Sequence, residues 1–251
     1  MHIEHIITMS CLAFAYIFSI MSSCTFQAWC THKAGDFTAQ QRGYLSFNPL
    51  MYFDYLMIFS LCIWFLDIGR GLLIVRSVPF VSDNIQGKWR KIKIFVLSTA
   101  DIFANIVLAL ISLFLLVCIL KPFFKNDVTH LPIILVNFTK SLMIPHFTPL
   151  QEFVQIMPTH SSMMIIFSFV LFCLVFFNIV IAAMRCFFRL LRMAMKKIVP
   201  FNEGDFGFEL RFFLIIQMIA NIIFITAGNP LEYFIKKIVV IGVFPIISLF
   251  K

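Results

Sequence analysis

Residues Met163–Met184 read MMIIFSFVLFCLVFFNIVIAAM, without one charged side chain, and they end against RCFFRLLRMAMKK, Arg185–Lys197. As a helix these 22 residues, at about 1.5 Å each, are roughly 33 Å long, against a hydrocarbon core of about 30 Å. The stretch is therefore expected to span a membrane. Lys and Arg accumulate on the side that is not translocated, so its basic end is expected to be cytoplasmic and to orient the rest of the chain.

Composition agrees. Of 251 residues, 61% are hydrophobic and 13% charged, with a mean hydropathy of +0.96. An ordinary soluble domain carries about 25% charged residues. The net charge of +8 would suggest nucleic acid in a soluble protein. Here the cations flank apolar runs, where they set topology and meet anionic lipid, so no nucleic-acid partner is expected.

Working outward, the expected fold is all-α: a polytopic bundle of five or six transmembrane helices with interfacial amphipathic helices, in a single membrane domain covering 1–251. The spans are expected at about 6–23, 50–69, 94–120, 163–184, 207–226 and 233–250. The last rests on a short apolar run broken by Pro245. The first is read as uncleaved, because no Lys or Arg precedes it as a signal peptide would require. Residues 24–49 then form an external loop in which Cys24 and Cys30 either pair as a disulfide or remain two free thiols.

Two basic segments are expected inside. One carries Arg70, Arg76, Lys88, Arg90, Lys91 and Lys93, and the other carries Arg185, Arg189, Arg192, Lys196 and Lys197. The external loops are poorer in cations. This alternation predicts that both termini are cytoplasmic, with a plasma or bacterial inner membrane as the setting. Arg185, Arg189, Arg192 and Lys196 repeat at 4, 3 and 4, one face of a helix, which is expected to lie along anionic lipid.

Polar residues inside the spans are the candidates for function. Ser98, Asp101, Asn105 and Ser112 share a face of the third span, which should turn toward protein. A carboxylate at the centre of a span costs about 2.5–3.5 kcal/mol on insertion scales, so Asp101 must be paired, protonated or beside water. Gln217 and Asn221, at i and i+4 of the fifth span, are expected either to bond Asp101 and Asn105 across helices or to line a transport path with them. Asp67 with Arg70, and Glu209 with Arg211, are expected as intramembrane or interfacial ion pairs.

The chain has no zinc-protease helix motif, nucleophile elbow, phosphate-cradling glycine loop or dinucleotide fingerprint. His130, His146 and His160 are spaced 16 and 14 apart, which fits no compact ligand set, so neither metal nor cofactor is expected. The function expected is a non-enzymatic subunit or accessory of a larger membrane assembly, such as a secretion, conjugation or export apparatus, or an immunity-type protein. Its partners would be lipids and other membrane proteins. The alternative is a small ion or solute transporter whose path is lined by Asp101, Asn105, Gln217 and Asn221.

Overall fold

The computed structural model describes residues 2–52, 58, 78–120 and 162–196, with backbone alone at 2–5, 162, 188 and 191–196. Three long helices dominate it: α1 (His2–Lys33), α3 (Arg90–Leu120) and α4 (Ser162–Lys196). All three are long and apolar enough to cross a membrane. The short α2 (Thr38–Gln41) and 3-10 turns at Pro49–Met51 and Ser82–Asn84 lie between α1 and α3 in the chain. The expected spans at 207–226 and 233–250, and most of the one at 50–69, lie outside the described residues.

Each long helix exceeds its sequence-based limits for one reason. None contains Gly or Pro, so nothing in the backbone ends it where the hydropathy falls. The expected external loop at 24–49 instead begins as ten more residues of α1, Cys24–Lys33. In that extension Gln27 and Thr31 are buried, turned into the bundle. The expected interfacial helix after Met184 is likewise no separate element, because α4 continues to Lys196.

What stops α1 is Gly35. Its φ of 99° is left-handed, the Gly35 amide donates to the His32 carbonyl at 3.1 Å, and the Asp36 amide donates to the Thr31 carbonyl at 3.1 Å. These two bonds cap the last carbonyls in a Schellman turn, and glycine alone adopts that φ without strain. The turn delivers Asp36 into a buried site. Its carboxylate accepts from the Thr38 amide (3.0 Å) and hydroxyl (2.6 Å), the Val81 amide (2.7 Å) and Asn84 Nδ2 (3.0 Å). Asp36 thus fastens the end of α1 to the segment that precedes α3.

The three long helices pack on one another pairwise, with the largest interface between α3 and α4. On α1 the buried face presents Leu12, Ala15, Tyr16, Ile20 and Ala28, with small residues where neighbours approach closely. The Tyr16 and Phe177 rings lie 5.6 Å apart, Ser19 bonds Asn178, and Ser23 bonds Arg185. Residue numbers rise together in these pairs, so α1 and α4 run parallel. Gln27 Nε2 donates to the Leu97 carbonyl of α3 at 3.1 Å, while Asp101 lies further along α3 at the level of Ser23. Numbers therefore fall on α3 as they rise on α1, and α3 is antiparallel to both.

The sequence reading has the first and third spans running the same way, whereas α1 and α3 pack antiparallel. The loop assigned to the outside is tied by Asp36 and Gln27 to the stretch leading into α3. Tyr52, at the start of the expected second span, and Val78, beyond its end, are held two residues apart on α1: Tyr52 by the Thr25 hydroxyl at 2.6 Å, Val78 through its amide to Gln27 Oε1 at 3.3 Å. The carboxyl end of α1, the amino end of α3 and the carboxyl end of α4 thus share one end of the bundle.

Candidate functional site

At that shared end a polar layer crosses the core. Asp101 sits on the inward face of α3 with Ala100, Asn105, Ala109 and Ser112, all buried; Ser98 of the predicted stripe is only half-buried. The stripe thus faces protein. Opposite it, α4 has just finished its uncharged run, and Arg185 and Arg189 follow one turn apart. Arg185 Nε stands 3.4 Å from Asp101 Oδ2, and Arg189 Nη2 bonds Asp101 Oδ1. The Asp101 side chain is fully enclosed, that of Arg185 is 4% exposed and that of Arg189 is 23% exposed.

α1 completes the layer. Arg185 Nη1 donates to Ser23 Oγ at 2.9 Å and its Nη2 to Cys24 Sγ at 3.3 Å. A planar guanidinium presents five N–H groups in a fixed fork, so one arginine can bridge two helices at once. Six residues, about 9 Å of helix, separate Ser23 from Trp29, which is half exposed in the manner of an interfacial anchor. The ion cluster lies within the bundle, where water screens it weakly.

One turn deeper, Ser19 and Asn178 form a second polar pair. Asn178 Nδ2 donates to Ser19 Oγ at 2.8 Å and to the Leu174 carbonyl at 2.7 Å, and Ser19 Oγ donates to the Ala15 carbonyl at 2.7 Å. Both donors of the amide and the single hydroxyl proton are used. Asn105, at a similar depth on α3, differs: it is fully buried and, among the described residues, neither Nδ2 nor Oδ1 has a hydrogen-bond partner.

The arrangement differs from the sequence reading in its partners. Arg185 and Arg189, assigned there to anionic lipid, turn into the bundle because Asp101 waits opposite them. The backbone alone is described at Arg192 and Lys196, so their lipid contact is not part of this geometry. Cys24 and Cys30 are not joined to each other and stand on one continuous helix. Six residues apart on a helix is about 9 Å of rise, beyond the roughly 7 Å that a disulfide tolerates between Cα atoms. Gln217, Asn221, Asp67, Arg70, Glu209 and Arg211 lie outside the described residues.

Sequence reasoning missed Ser23, Gln27 and Asn178. Asn178 did leave a signal, as the lone amide inside the uncharged stretch. Ser23 and Gln27 left none, because they follow a hydropathy drop that also fits a loop.

Two guanidiniums and one carboxylate leave the cluster one positive charge in excess. It has no nucleophile–base pair, and no group of His, Cys, Asp or Glu able to hold a metal occurs among the described residues. Chemically it suits helix registration and charge neutralisation. Compared with protein-family models, characterised proteins and solved structures, the chain matches none.

Proposed function

We propose that the chain is a non-enzymatic membrane protein acting as a subunit or accessory of a larger membrane assembly, of the secretion, conjugation, export or immunity kind. The observation that carries this reading is the commitment of Asp101. It is the acid that a transport path would need to keep available, and both its oxygens face guanidiniums of α4. Buried ionic groups of this kind are best attested as devices that fix register. Three helices locked in register form a rigid body suited to docking within a membrane.

The orientation follows from the same geometry. Lys33, Arg42, Lys88, Arg90, Lys91, Lys93, Arg185 and Arg189 all belong to the shared end of the bundle. By the positive-inside rule this end is cytoplasmic, in a plasma or bacterial inner membrane. On this reading, with α1 packed antiparallel to α3, the amino terminus lies on the opposite side of the membrane, where the sequence alone pointed to the cytoplasm. The carboxyl terminus lies outside the described residues.

The experiment is a gentle-detergent pull-down of tagged protein at native level, followed by mass spectrometry. Stoichiometric co-purification of other membrane proteins is the expected result; purification alone, or only with itself, contradicts it.

One observation favours a transporter instead. Asn105 buries an amide that is unpaired among the described residues, and an orphaned polar group in a core is costly unless used. The two readings part at Asn105→Leu. As a structural orphan, the amide gives way to an apolar side chain of similar size with a gain of roughly 1–3 kcal/mol, read as a higher unfolding temperature and intact partner binding. In a path, the same change abolishes flux in reconstituted vesicles.

A further inference from the structure

With Arg185 and Arg189 turned inward, the cations that face lipid must lie elsewhere, and the amino end of α3 supplies them. A cleft of about 530 Å³ opens there, lined by Lys88, Trp89, Arg90, Lys91, Ile92 and Ile94. Two of its neighbouring charges are already engaged. Arg90 Nη2 bonds Asp83 Oδ1 at 2.7 Å and the Ser82 carbonyl at 3.1 Å, and Lys93 Nζ bonds the Gln86 carbonyl at 3.2 Å. Lys88 and Lys91 are exposed and carry no such partner among the described residues.

Below the cleft the lipid-facing side of α3 is apolar and continuous. Ile92, Phe95, Phe103, Ile106 and Leu110 are 55, 67, 60, 47 and 48% exposed. Their spacings of 3, 8, 3 and 4 keep them on one face at 3.6 residues per turn. Lys88 stands four residues before Ile92, and Trp89 is 61% exposed beside it. An unpaired cation pair, an indole and an apolar strip descending from them match an amphiphile with an anionic head and acyl chains.

We propose that this cleft binds the headgroup of an anionic phospholipid, with Lys88 and Lys91 on the phosphate, Trp89 against the glycerol region and the acyl chains along Ile92, Phe95 and Phe103. This rests on the membrane-spanning reading and makes the lipid partner specific to α3. Tryptophan and lysine are the residues expected at that depth.

The test uses the full chain with Trp29→Phe and Trp64→Phe, leaving Trp89 as the fluorophore, reconstituted in neutral vesicles. Brominated phosphatidylglycerol and brominated phosphatidylcholine are compared at equal mole fraction. The expected result is at least about twofold stronger quenching by the anionic lipid, weakened by salt over the range where the Debye length shrinks below about 10 Å. Lys88→Gln with Lys91→Gln should remove the preference, while Lys33→Gln, an exposed cation at the same end, should leave it intact. Equal quenching by the two lipids overturns the proposal, as does equal loss in the Lys33 variant or abolition of the preference by millimolar inorganic phosphate. Quenching by neither lipid contradicts membrane insertion itself.

Discussion

Asp101→Asn is expected to be the most damaging single substitution in the described part of the chain, lowering stability by about 3–5 kcal/mol. The size follows from what remains. Arg185 is nearly enclosed and Arg189 partly so, and removing the carboxylate leaves one buried and one part-buried guanidinium without their counter-charge. Breaking one side of a buried ion cluster costs more than never having built it. The measurement is thermal unfolding of purified protein in detergent or nanodiscs, with folded yield as a second readout. A triple variant, Asp101→Leu with Arg185→Met and Arg189→Met, should recover much of the loss, since apolar residues of similar volume often replace such clusters without penalty. A mild effect of Asp101→Asn, with no recovery in the triple variant, would mean that the cluster does not hold the bundle.

The second large effect is expected at Asp36, where one carboxylate accepts four hydrogen bonds and joins α1 to the segment entering α3. Asp36→Ala leaves the part-buried Val81 and Thr38 amides without their acceptor and should cost about 3 kcal/mol. This latch is also pH-sensitive. Burial pushes the carboxyl upward, but the bonds from Thr38, Asn84 and the Val81 amide outweigh it and hold the group below its ordinary value of 3.8. A depressed folded value means that the stabilisation is complete above the unfolded carboxyl range and is lost as pH falls through the folded one. The stability gap between the wild type and Asp36→Asn should therefore be constant near neutral pH and close below about pH 4. A gap that widens on acidification would contradict this.

The three helices long and apolar enough to cross a membrane were legible in the sequence, because length and hydropathy are what define such a helix. Periodicity groups residues on a face whatever the partner, and Asp101, Asn105 and Ser112 share a buried face of α3. The partners themselves were not legible. Which helix meets Asp101 depends on the direction of α1, and that direction is set by a latch at Asp36 and an amide at Gln27, neither of which alters hydropathy. The same blindness sent Arg185 and Arg189 to the lipid: a basic stripe at helical spacing looks identical whether it faces a headgroup or a buried carboxylate. Helix ends were misjudged at Ser23 and Met184 for a related reason, because polarity changes there without any residue that breaks a helix.

The claim on which the rest depends is that α1 runs antiparallel to α3. In a cysteine-free background, single cysteines at His2 and at Lys88 would be labelled in sealed vesicles with a membrane-impermeant maleimide, before and after permeabilisation. The packing predicts opposite sides, with position 88 cytoplasmic and position 2 across the membrane. Labelling of both positions from the same side would contradict it.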